Sequence, residues 1–329
     1  MKHLAFLASV LLVLPLHAAD SNVLTPVKTI PLPDVHGRID HLALDARGQR
    51  LFVAALGNDT VEVVDLAAGK RIQTIDGCSE PQGLAFVPTE NRLFIANGGS
   101  GTVTILDGTS FKTIKKLTGL PDADNVRYDA KTNSVYVGYG DGALAVISAA
   151  TGERVANIQL AGHPESFQLE QNGSRLFVNV PDAEQVAVVD RDKHTVVDTW
   201  PMKGFGGNFP MALDEANHRL FIGCRDPARL VVLDTTTRKT VASVAIAGDT
   251  DDLFYDAGRK LIYVSCGAGS IDVVEQHNAD AYQLLERIPT QRGARTSCFS
   301  GERGELYLAV RAGMISGNAE ICVYQCGAQ

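Results

Sequence analysis

One short motif returns seven times and leaves this chain little choice of fold. Arg50-Leu51-Phe52-Val53-Ala54 is echoed by Arg92-Leu93-Phe94-Ile95-Ala96, Ser134-Val135-Tyr136-Val137-Gly138, Arg175-Leu176-Phe177-Val178-Asn179 and Arg219-Leu220-Phe221-Ile222-Gly223. Two looser copies follow at Lys260-Leu261-Ile262-Tyr263-Val264 and Glu305-Leu306-Tyr307-Leu308-Ala309. The marker aromatics Phe52, Phe94, Tyr136, Phe177, Phe221, Tyr263 and Tyr307 stand 41 to 44 residues apart. A repeat of that length built from strand formers is the period of a β-propeller blade, not of a helical solenoid. The expected fold is therefore all-β, a seven-bladed β-propeller of four-stranded blades.

The first repeat shows the four strands plainly: His41 to Asp45, Leu51 to Ala55, Thr60 to Asp65 and Arg71 to Ile75. Each run is rich in β-branched or aromatic residues and is bounded by turn formers such as Gly48, Gly57 and Gly69. The seventh repeat has no fourth run, but Val27-Lys28-Thr29-Ile30-Pro31-Leu32 precedes the first repeat and has the same character. The N-terminal strand is expected to complete the last blade, closing the ring and covering an open sheet edge.

The repeated strands, the hairpin glycines and the Asp that ends third strands at Asp65, Asp107, Asp190 and Asp234 resemble the YVTN-type repeat of YncE-like propellers. The likeness runs from about Val27 to Cys326. It implies the fold strongly and the activity weakly. Some proteins of this architecture are lactonases and others accompany redox proteins, and no catalytic motif of theirs lies residue by residue on this chain.

Outside the repeat, Lys2 and His3 precede an apolar run from Leu4 to Leu16 that ends in His17-Ala18-Ala19. That order describes a cleavable secretory signal over residues 1–19, with a single propeller domain over 20–329 and a secreted or periplasmic location. The run is too short to span a bilayer, so no membrane insertion is expected. Without Lys2, 29 basic side chains face 38 acidic ones. Such an acidic balance opposes sequence-independent nucleic-acid binding, and a monomer is expected. The cysteines Cys78, Cys224, Cys266, Cys298, Cys322 and Cys326 permit disulfides in an exported chain, or equally serve as inert buried residues. Cys322 and Cys326 share one strand, which holds them too far apart to bond.

In a propeller the loop into each innermost strand opens on one mouth of the central channel. Aligned on the repeat, these positions are Asp40-His41, Gln82-Gly83, Asp124-Asn125, Glu165-Ser166, Phe209-Pro210, Asp251-Asp252 and Arg295-Thr296. The expected ligand-binding residues are Asp40, His41, Asp124, Asn125, Arg127, Glu165, Asp251, Asp252 and Arg295. Among these, His41, Asp124, Glu165 and Asp251 form a candidate site for a divalent cation, with oxygen donors favouring calcium or magnesium. Arg127 with Arg295 is a candidate clamp for a small anion, while His163, two residues ahead of Glu165, either reaches the mouth or stands as a solvated loop residue. Along the strands, Ala43, Ala85, Arg127, Gln168, Ala212, Phe254 and Cys298 should line the channel, and the bulkier alternate residues should pack between blades.

Two readings of function result. The first is an exported binding or scaffold protein that takes a small molecule, an ion or a protein partner at the mouth. The alternative is a metal-dependent hydrolase of the lactonase kind acting at the same place.

Overall fold

Each copy of the motif forms the second strand of a four-stranded antiparallel blade, from Arg50–Ala55 in blade one to Glu305–Val310 in blade seven. The computed structural model describes residues 23–313 and 317–327. The signal expected over residues 1–19 lies outside them. Among the described residues, 28 strands make seven sheets of four. Six sheets are simple up-and-down meanders. No helix there is long and apolar enough to cross a membrane.

The marker aromatics explain why the blades associate. Phe52 packs in an apolar cluster with Leu93 and Ile95 of blade two, Tyr136 with Leu176 and Val178 of blade four, and Tyr263 with Leu306 and Leu308 of blade seven. All seven are essentially without solvent exposure. A residue on the flat face of one blade thus fills the space against the next, and the apolar area it removes from water holds the pair together.

The arginine that opens the motif adds a second link. Arg50 Nη1 donates to the Gly108 carbonyl of blade two at 2.6 Å, and Arg92 Nη1 to Ala149 of blade three at 2.7 Å. Arg175 reaches Thr235 of blade five and Arg219 reaches Ala279 of blade six, each at 2.8 Å. The aspartates that end third strands serve the hairpin instead: Asp107 accepts the Ser110 N–H at 2.7 Å and Asp234 the Thr237 N–H at 2.7 Å.

The ring closes as the sequence implies. The first strand, β1 (Leu24–Leu32), pairs antiparallel with Ala319–Cys326, so blade seven takes its outer strand from the N-terminal end. Pro26 and Pro31 are tolerated there because β1 is an edge strand. Ile30 and Leu32 are fully buried beside Leu51 and Val53 of blade one and Ile321 of blade seven. All six cysteines are free, with Cys224, Cys266 and Cys326 buried.

Candidate functional site at the channel mouth

The two residues ahead of an innermost strand extend its hydrogen-bond ladder. The N–H groups of Asp40, Asp124 and Glu165 donate to Ala54, Gly138 and Asn179 at 2.8, 2.9 and 3.0 Å, and those three return bonds to His41, Asn125 and Ser166. An extended backbone fixed in this way sends alternate side chains in opposite directions. The first of each pair faces the mouth. Asp40, Gln82, Asp124, Glu165, Phe209, Asp251 and Arg295, one from each blade, all line one cavity of about 380 Å³. Below it a channel of about 270 Å³ is lined by Ala43, Ala85, Arg127, Gln168, Phe254 and Cys298. Gly83 completes the packing: a Cβ on it would lie 2.1 Å from the Asp124 carbonyl oxygen of the next blade.

The mouth is electrostatically lopsided. On one side every charge is matched. Asp251 lies 2.6 Å from Arg225 and 2.9 Å from Arg295, Arg295 also holds Asp249 at 2.5 Å, and the Arg225 guanidinium sits 3.5 Å over the Phe209 ring. Asp40 is held by Arg38 at 2.7 Å.

On the other side, Asp124 and Glu165 accept no hydrogen bond among the described residues, and Asp124 Oδ1 is a buried acceptor with no partner. His163 Nδ1 lies 2.7 Å from the Gly140 carbonyl oxygen. A carbonyl only accepts, so Nδ1 carries a proton, and the opposite nitrogen Nε2 faces Asp124 Oδ2 at 3.8 Å. One donor atom each from Asp124, His163 and Glu165 lies within 4.8 Å of the other two, near enough for one metal ion to draw all three together.

Crowding of acids under partial burial moves their protonation. Burial pushes Glu165 up to about 8, helped by the charges of Asp124 and Asp251. Burial likewise lifts Asp40 to about 7 against the opposing pull of His41 and Arg38. Asp124 raises His163 to about 9. Burial would depress His41, but Asp252, 3.5 Å from its Nδ1, together with Asp40 and Asp124 outweighs it and pushes the ring up to about 10. Perturbed groups gathered in an open cavity mark a candidate functional site.

Residues 33–200 of the 329 match the family model described as Lactonase, 7-bladed beta-propeller. The chain belongs to this family. No curated protein matches the chain. Solved structures carry the same fold: a chain titled Kuenenia stuttgartiensis Hydrazine Synthase is 16% identical with a TM-score of 0.75, covering 88% of this chain and 97% of that one. A chain from the Crystal Structure of Mitotic Checkpoint Complex is 14% identical with a TM-score of 0.79, covering 100% and 99%. At such identities the likeness is one of fold alone. The family match supports the seven-bladed architecture that the YVTN-type resemblance implied.

Several residues lie elsewhere than the sequence suggested. Asn125 and Asp252 are second members of their pairs and turn away from the mouth; Asp252 Oδ2 accepts the Ser297 N–H at 2.7 Å. Arg127 is further down its strand in the channel wall, donating to the Val126 carbonyl at 2.9 Å and to Ser166 Oγ at 3.3 Å. It therefore forms no clamp with Arg295, which Asp249 and Asp251 already hold. Asp251 is likewise committed to arginines instead of to Asp124 and Glu165, and His41 is drawn toward Asp252. In their place His163, its side chain only 19% exposed, joins Asp124 and Glu165. Arg225 was not foreseen, because it leaves the second strand of blade five and only the ring brings it beside blade six. The one signal for His163 was its position two residues ahead of Glu165.

Proposed function

We propose that the protein is a hydrolase that opens small lactones or related esters at the channel mouth. The observation that carries this reading is the Asp124, His163 and Glu165 group, gathered at the cavity with Asp124 Oδ1 lacking a hydrogen-bond partner. A second cavity of about 480 Å³, which shares Asp122, His163, Glu165 and Phe209 with the mouth, offers room for a small cyclic substrate. Membership of a family named for lactonases supports the same reaction class.

In this reading the three-residue group activates water. The water oxygen bonds to the acyl carbon, the bond from that carbon to the ring oxygen breaks, and the water proton passes to the Asp124 carboxylate. Asp40, lifted to about 7, is close to the ideal for a donor at neutral pH and protonates the leaving alkoxide. The product is a hydroxy acid. Export through the segment 1–19 and a monomeric state belong to the same proposal.

A binding module without chemistry is the competing reading, and turnover separates the two. Five- and six-membered lactones and aryl esters are assayed by acid release. Asp124→Asn should lower kcat/KM by about 100-fold or more while the melting temperature holds. No turnover on any of these substrates, or wild-type rates in the variant, would refute the hydrolase and leave the mouth as a recognition surface.

A further inference from the structure

The mouth carries more carboxylates than its own cations satisfy, and the surplus has an address. Asp251 and Asp40 have arginine partners. Asp124 does not: it is only 9% exposed, and its enclosed Oδ1 accepts no hydrogen bond, with His41 Nε2 3.9 Å away. A carboxylate oxygen enclosed without a partner is left with its desolvation cost uncompensated. Glu165, on the neighbouring blade and half-buried, has no arginine partner among the described residues either.

His163 is prepared for a ligand's role. Its Nδ1–H is spent on the Gly140 carbonyl at 2.7 Å, an arrangement that fixes the ring and aims Nε2 at the two acids. Metal-bound histidines habitually donate their other N–H in this manner. We propose that Asp124, His163 and Glu165 bind a single divalent transition-metal ion of the zinc or cobalt class, with a coordination position left open toward the mouth.

The donor set decides the class of metal. Calcium takes 6–8 oxygen ligands and magnesium keeps most of its waters, whereas an imidazole with two carboxylates suits borderline ions such as zinc. Two ligands on one zinc ion lie about 3.3 Å apart. The His163 to Asp124 distance of 3.8 Å already approaches this, and the full set spreads no further than 4.8 Å, so small side-chain movements close the site. Three protein ligands with an open position are the arrangement found in catalytic zinc sites, not structural ones.

This inference deepens the hydrolase reading, since a metal at this place would be what activates the water. Its test does not depend on that reading. Full-length protein stripped with chelator is titrated with Co²⁺ alone, followed by visible absorption and calorimetry. One equivalent should bind at micromolar affinity or tighter, giving the weak bands of nitrogen and oxygen ligation. Asp124→Asn and His163→Ala should each weaken binding by more than about 10-fold, and Asp182→Asn, on the wall of the second cavity, should not. Near-isosteric Asp124→Asn keeps the test valid if His163→Ala misfolds. No saturable binding, unchanged affinity in both ligand variants, or an intense thiolate band marking a cysteine site would each overturn the proposal. Metal bound without lactone turnover would sink the hydrolase alone, and turnover in the stripped protein would sink the metal's catalytic role.

Discussion

Replacing Ile30 by alanine tests whether the ring depends on β1. Ile30 pairs with Ile321 in the ladder and has no solvent exposure, packed in the cluster that joins blade seven to blade one. Removing three buried carbons from such a site costs about 2–5 kcal/mol, because the lost transfer energy is joined by a cavity that Leu51, Val53 and Ile321 fill only in part. Unfolding entropy of about 2.1 cal/mol/K per residue gives about 0.6 kcal/mol per degree for a domain of this size. The melting temperature should therefore fall by about 3–8 °C in scanning calorimetry. Ile72→Ala is the matched control, since Ile72 lies on the outer strand of blade one and is 47% exposed. Its shift should stay within about 0.5 kcal/mol, or about 1 °C. Deleting residues 20–33 removes Leu24, Ile30 and Leu32 together and should depress the midpoint far more. An Ile30→Ala shift no larger than that of Ile72→Ala would refute the argument that the ring is held shut through this strand.

Two further outcomes follow from the site. Gly83→Ala should lower stability by about 1–3 kcal/mol and weaken Co²⁺ binding, because its Cβ would meet the Asp124 carbonyl oxygen at 2.1 Å and the Val126 Cγ2 at 2.8 Å. Gly248→Ala, where a Cβ meets nothing within 4 Å, should be neutral, and calorimetry of the two variants checks the contrast. Cys298 should resist iodoacetamide in the native protein at pH 8, since burial and the nearby Asp252 push its thiol up to about 12 and the thiolate is the reactive form. Prompt alkylation of Cys298, read by mass spectrometry of the native protein, would contradict this.

The candidate site was legible in part. Aligning the repeat gave the seven positions that line the mouth, because equivalent positions in equivalent blades must project alike. The finer partition was not legible. Arg127 has the same parity as Asn125, yet its place one pleat deeper puts it in the channel wall. His163 read as an ordinary loop histidine until Gly140, 23 residues earlier in the chain, was seen to accept its proton. Asp251 and Asp124 occupy equivalent positions in the repeat, but only Asp251 has Arg225 and Arg295 within 3 Å.

The sequence by itself determined the seven blades, their four-stranded pattern and the closure by β1. Each of those is a local preference repeated at a fixed period, and repetition needs no knowledge of distant contacts. Which charges cancel one another and which are left over depends on the folded ring. Residues from separate blades meet only because the ring curves back on its axis, and Coulombic pairing depends on separations of a few ångströms that a one-dimensional repeat does not encode. The leftover carboxylates of Asp124 and Glu165, with His163 beside them, are the result of that geometry.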